Sequence, residues 1–217
     1  LLAPGEFIPL AEDSNLIAEV GEYVLSAACR AGAGWQAAGH SLEISVNVSS
    51  VQLSDPRFPA LVREILARTR FPAAALTLEV TESQALTDSC VNDRNLRELR
   101  GLGLGISIDD FGTGYSSLAQ LHRLPVTEVK IDRSFTTRLG EDGADAFIAG
   151  IVGLSHGLGL LVVAEGVETS DQLTALAKMG CDRAQGFYLG KPMDAPELEK
   201  HLARSCPVQS NQHPAAP

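Results

Sequence analysis

The chain has 217 residues, 45% of them apolar and 20% charged, with 20 Gly and 11 Pro, a composition that excludes a disordered chain or a coiled coil. That length allows one α/β domain with a substantial core. Acidic side chains outnumber basic ones 27 to 17, a net charge of −10 that argues against non-specific contact with a nucleic-acid polymer or an anionic membrane surface.

In chain order, an opening loop leads to one long amphipathic helix predicted over Asn15 to Ala38. Six short β-like runs follow, each succeeded by a helical stretch: Leu42 to Ser49, Leu76 to Thr81, Gly105 to Asp109, Thr127 to Ile131, Leu160 to Ala164 and Arg183 to Phe187. Several are apolar on nearly every residue, as strands covered on both faces of a parallel sheet must be. Asp55-Pro56 offers a cap with proline at the first helical position, and Asp194 stands before Pro196-Glu197 in the same sense. Gly39, Gly101, Gly157 and Gly180 are placed as left-handed helix ends. Gly101 to Gly105 mimics a dinucleotide loop, but it follows a helix and opens a strand, so a plain turn is expected. The Pro-, Gln- and Ser-rich end of the chain predicts a disordered tail over residues 204–217, behind one domain over 1–203.

Six βα units fit either a barrel or a doubly wound sheet. A doubly wound sheet gathers its ligand contacts at one switch point, whereas a barrel draws them from the ends of many strands. Polar residues end every predicted strand here, which favours a (β/α)₈ barrel. The count is two strands short of eight and the chain opens Leu1-Leu2 without methionine, so a barrel lacking its N-terminal edge is expected. Cys29, Cys90, Cys181 and Cys206 form no C-x-x-C pair and read as reduced thiols of a cytoplasmic domain. No apolar run reaches the roughly 20 residues of a membrane span.

The strand ends supply Asn47, Glu79 and Glu82, Asp109 and Asp110, Lys130 and Asp132, Glu165 and Glu168, and Gln185. Two unit charges ~4 Å apart repel by roughly 4 kcal/mol at an effective dielectric near 20, so something positive must sit among these carboxylates. Oxygen donors without Cys or His suit a hard cation, Mg²⁺ or Mn²⁺, and disfavour zinc. Lys130, in an apolar strand, needs a partner or a path to solvent. Trp35 and the isolated histidines read as packing or surface residues.

The residues resemble the EAL domain of bacterial cyclic-di-GMP phosphodiesterases. The likeness is carried by residues 4–12 (PGEFIPLAE), 45–49 (SVNVS), 78–82 (LEVTE), 109–118 (DDFGTGYSSL), 129–135 (VKIDRSF), 163–169 (VAEGVET) and 185–187 (QGF). It implies a modified (β/α)₈ barrel that hydrolyses cyclic-di-GMP to linear pGpG with two ions, Mg²⁺ or Mn²⁺. By that resemblance Asn47, Glu79 and Asp109 match metal ligands, and Asp110 lies beside the second metal. Lys130 matches a lysine that positions the attacking water, and Glu165 a general base or metal-site carboxylate. Glu168 matches the glutamate that holds the Asp-Asp-Phe-Gly loop, and Gln185 a polar group of the site. A homodimer and upstream sensory or GGDEF domains are further expectations. The Glu-Ala-Leu signature belongs upstream of Pro4, so truncation is expected and the fragment alone should lack robust hydrolysis. The rival readings are a degenerate EAL domain that senses cyclic-di-GMP without cleaving it, and an unrelated Mg²⁺-dependent barrel enzyme.

Overall fold

A computed structural model describes residues 4–14, 16–87, 89–114 and 121–205. Strands β1 (Ile44–Asn47), β2 (Leu76–Thr81), β3 (Gly105–Phe111), β4 (Glu128–Ile131), β5 (Leu161–Ala164) and β6 (Arg183–Ala184) form one six-stranded sheet in chain order. Every neighbouring pair is parallel. With its covering helices the sheet makes the half-barrel that the alternating pattern predicts.

Alternation along the strands divides each one between two environments. In β4 all four residues are buried. Val129 and Ile131 join the core with Ile106, Ile108 and Val162, while Glu128 and Lys130 share the opposite, inner face. The core is completed by Leu25 of helix α2 (Ile17–Ala37), Leu53 of α3 (Ser50–Leu53) and Ile65 of α4 (Phe58–Thr69). Each such aliphatic side chain contributes about 1.5–3 kcal/mol by leaving water.

At the N-terminal ends of the strands, Arg183 opens β6 and its guanidinium meets Glu43, just before β1, at 2.7 Å, and Glu128 of β4 at 3.3 Å. One side chain thus ties together the two outer strands of the sheet.

Several local expectations are corrected. The opening segment is helical, α1 (Pro4–Asp13), rather than a loop; α2 begins at Ile17, and Asn15 lies outside the described residues. Asp55-Pro56 does not start a helix. The Asp55 carboxylate accepts the Arg57 N–H at 2.8 Å and binds its guanidinium, closing a turn, so α4 starts at Phe58 with Pro59 in its first turn. Gly39 (φ 92°) and Gly180 (φ 89°) take the left-handed conformation as expected, but Gly101, the last residue of helix α6 (Cys90–Gly101), and Gly157 stay helical. Gly103 (φ 91°) and Gly159 (φ 74°), two residues later, make those turns. The last helix runs Ala195–Ser205, started by Asp194, whose carboxylate accepts the Glu197 N–H at 2.9 Å. Residues 204 and 205 are therefore helical, and 206–217 of the expected tail lie outside the described residues. No helix among the described residues is long and apolar enough to cross a membrane.

Candidate active site at the strand ends

The parallel register sets the site. Asn47 pairs with Glu79 across β1 and β2, Thr81 with Asp109 across β2 and β3, and Lys130 with Val163 across β4 and β5, leaving Glu165 directly after β5. Lys130 is 4% and Glu79 6% exposed, so neither charge relies on bulk water. The Lys130 Nζ lies 3.0 Å from Glu79 Oε2 and 3.1 Å from Asp109 Oδ1, and pairs closely with Glu165 Oε1. It therefore does not reach out to solvent. Burial works against the ammonium, yet the Glu165 hydrogen bond and the charges of Glu79, Glu165 and Asp109 hold its pKa above the ordinary lysine range.

Asp109, Asp110 and Glu165 each bring a carboxylate oxygen within 4.8 Å of the others. Burial, followed by the neighbouring Asp109 and Asp132 charges, pushes the Asp110 carboxyl upward. Burial likewise raises Glu165, and Lys130 opposes it. The single positive charge of Lys130 faces Glu79, Asp109, Asp110 and Glu165, so the cluster keeps an excess of negative charge that one lysine cannot balance. An all-oxygen donor set of this charge fits a hard divalent cation.

The loop after β3 continues the site. Asp110 adopts φ 55°, and its N–H donates to Asp109 Oδ1 at 3.1 Å. Thr113 Oγ1 donates to the Asp110 carbonyl at 2.8 Å. The carboxylate that grips this loop is Glu82, first residue of helix α5 (Glu82–Ala85), which accepts the Gly112 N–H at 2.9 Å. A Cβ on Gly114 would come within 2.5 Å of Glu82 Oε1, so the loop lies directly on that carboxylate. Thr81 presents Glu82 by a capping box with Gln84.

Glu168 is the residue that the resemblance places in this role, whereas among the described residues the bond to Gly112 is made by Glu82. Glu168 is exposed; its N–H donates to Gln172 Oε1 at 2.8 Å, and among the described residues its carboxylate makes no hydrogen bond to the loop. The part of the motif at residues 115–118 lies outside the described residues.

Two further expected residues stand at the rim. Asn47 ends β1 beside Glu79 and is exposed. Gln185 uses its backbone to join strand ends, its N–H donating to the Ala164 carbonyl at 2.8 Å and its carbonyl accepting from Val167 at 3.0 Å. Among the described residues no side-chain hydrogen bond ties Asn47 or Gln185 to the carboxylate cluster.

A family model described as EAL domain matches residues 1–192. The bifunctional diguanylate cyclase/cyclic di-GMP phosphodiesterase MucR of Pseudomonas aeruginosa is 47% identical over 205 residues, covering 94% of this chain and 30% of MucR. The oxygen sensor protein DosP of Escherichia coli is 37% identical over 208 residues, covering 95% of this chain and 26% of DosP. Among solved structures, the PaMucR phosphodiesterase in complex with c-di-GMP superposes with a TM-score of 0.87 at 46% identity, over 91% of this chain and 81% of that one. The FimX EAL domain of Pseudomonas aeruginosa bound to c-di-GMP gives 0.81 at 25% identity, over 88% and 77%. The chain belongs to the EAL domain family, and it spans less than a third of the length of these curated relatives.

Proposed function

We propose that residues 1–203 form an EAL domain that hydrolyses one phosphodiester bond of cyclic-di-GMP to linear pGpG, using Mg²⁺ or Mn²⁺, two ions in all. The observation that carries this reading is the carboxylate cluster gathered round a buried lysine at the strand ends of an EAL half-barrel. The name of MucR and the c-di-GMP complex of PaMucR support the substrate.

Asn47, Glu79, Asp109 and Asp110 are the residues that would hold the ions. Bound divalent cations supply charge neutralisation for the phosphate and lower the pKa of water. Glu165, its carboxyl raised by burial, serves as the proton acceptor at the attacking water. Lys130 stays protonated, fixes Glu165 by its close ion pair and through it positions the attacking water. Glu82 acts on the loop, keeping Asp110 beside Asp109 and Glu165. Gln185 supplies a polar group at the rim. In the same reading the domain is cytoplasmic, works as a homodimer and is joined to sensory or GGDEF domains.

The test is turnover of cyclic-di-GMP by the domain in its natural sequence context. Asp109→Asn, which removes a charge at nearly constant volume, should lower the rate more than about tenfold, or ~1.4 kcal/mol of transition-state stabilisation, with the fold intact. A rate within that limit would remove Asp109 from the site.

A further inference from the structure

The loop that carries Asp110 is held on a second side by an aromatic pair with no part in the chemistry described so far. Gly112 takes φ 95°, and a Cβ there would lie 3.1 and 3.3 Å from ring carbons of Phe135 and 3.5 Å from Ile151 Cδ1. Phe135 belongs to the short helix α7 (Arg133–Thr136), which begins just beyond Lys130 and is capped by Asp132, whose Oδ1 accepts the Ser134 N–H at 3.0 Å. The other side of the Phe135 ring is stacked on Phe147, with centroids 4.8 Å apart and planes at 29°. Phe147 and Ile151 are one turn apart on helix α8 (Ala144–Gly157), so this one outer helix touches the loop through Ile151 and braces the ring beside it through Phe147.

A non-glycine residue in the left-handed region persists only where its surroundings over-determine it. Asp110 is such a residue, at φ 55°. Its restraints are the two bonds from Thr113 to its carbonyl, the grip of Glu82 on Gly112, and the Phe135 ring against Gly112. The first two are hydrogen bonds. The ring is a packing restraint on Gly112, and it is stacked in turn on a partner that is 46% exposed on the molecular surface.

We propose that Phe135, braced by Phe147, is a positioning residue that holds Asp110 in its left-handed conformation, so that helix α8 sets how tightly the mouth takes a divalent cation. The cation half of this inference rests on the metal reading given above; the positioning half rests on loop geometry alone. Without the Phe147 ring, Phe135 can tilt away, Gly112 gains room, and the Asp110 carboxylate is no longer kept beside Asp109 and Glu165.

Phe147 is the residue to change, because a half-exposed ring can be lost without opening the core, whereas Phe135→Ala risks unfolding. Two readouts are compared in wild type, Phe147→Ala and Phe147→Tyr: Mn²⁺ affinity by calorimetry, and exchange of the Gly112 amide in metal-free protein by NMR. Phe147→Ala should bind Mn²⁺ about fivefold to tenfold more weakly and exchange the Gly112 amide faster, with unchanged far-UV circular dichroism, while Phe147→Tyr should match wild type. An affinity within about twofold of wild type in Phe147→Ala, or an equal loss in Phe147→Tyr, would overturn the proposed control of cation binding. Wild type that binds no Mn²⁺ would overturn the metal reading itself. In that case Gly112 exchange still decides the positioning role, and an unchanged rate in Phe147→Ala would overturn it.

Discussion

At the floor of the half-barrel one guanidinium, Arg183, spans Glu43 and Glu128; at the mouth one ammonium, Lys130, faces Glu79, Asp109 and Glu165, with Asp110 alongside. The floor cluster is wet on one side, with the Arg183 side chain 43%, Glu43 57% and Glu128 7% exposed, and it sets one positive charge against two carboxylates. At the mouth the Lys130 side chain is 5% exposed and carboxylates are in excess. A partly wet cluster with one carboxylate in excess joins strands at smaller electrostatic cost. A cluster with a buried centre and surplus negative charge calls for an added cation or raised carboxyl pKa values, and half-buried Glu165 and exposed Asp110 both show the latter. The difference follows the division of such folds into a stabilising end and a reactive end.

The sharpest break of that comparison is Lys130→Met. It leaves Glu79, Asp109 and Glu165 without their cation and should cost about 3–5 kcal/mol of metal-free stability in urea melts, with Mg²⁺ recovering part of the loss. If stability were unchanged, the lysine would not be the charge that allows these carboxylates to be buried together.

Next is Glu82→Ala, which orphans the Gly112 N–H at a cost of about 1–3 kcal/mol and should reduce turnover sharply, whereas Glu168→Ala should affect loop protection in amide exchange far less. The opposite ranking would restore Glu168 as the loop's anchor. Arg183→Met should cost about 1–3 kcal/mol, less than Lys130→Met because Glu43 is hydrated and only Glu128 is left buried without its cation, and should leave cation affinity at the mouth untouched.

The smallest effect concerns pH. Burial first, and only partly offset by Arg183, raises the Glu128 carboxyl above its ordinary value of 4.5. The folded state therefore holds this proton more tightly than the unfolded state, so its contribution is full below 4.5 and is lost as pH rises through the higher folded value. Glu128→Gln should flatten that part of the stability profile in urea melts across the acid range; an unaltered slope would show Glu128 to be well solvated.

Much of the architecture was legible because several strands are apolar on nearly every residue and alternate with helical stretches, a pattern that a covered parallel sheet explains. The mouth was legible for the same reason, since carboxylates and a lysine at the ends of such strands have no ordinary solvent-facing role. The loop anchor was not. Glu82 and Glu168 each stand three residues after a carboxylate of the cluster, Glu79 and Glu165, so spacing alone cannot separate them. Strand order can: β2 lies next to β3, whose end carries the loop, while β5 is separated from β3 by β4. Arg183 and Glu43 are likewise brought together only by curvature of the sheet across most of the chain. The helix over Pro4–Asp13 contains Pro9, a residue that local propensity sets against a helix interior, and in Gly101 to Gly105 either of two glycines could have ended the helix.

The central claim is that the mouth, and not the floor, is a cation-requiring hydrolytic centre. It is tested most directly by following cyclic-di-GMP hydrolysis by the domain in its natural sequence context, with Mn²⁺ and with excess chelator, in wild type, Asp110→Asn and Arg183→Met. The account predicts conversion to pGpG by wild type and Arg183→Met with Mn²⁺, and none with chelator or in Asp110→Asn. Hydrolysis that persists in chelator, or equal losses in Asp110→Asn and Arg183→Met with both proteins folded, would contradict it.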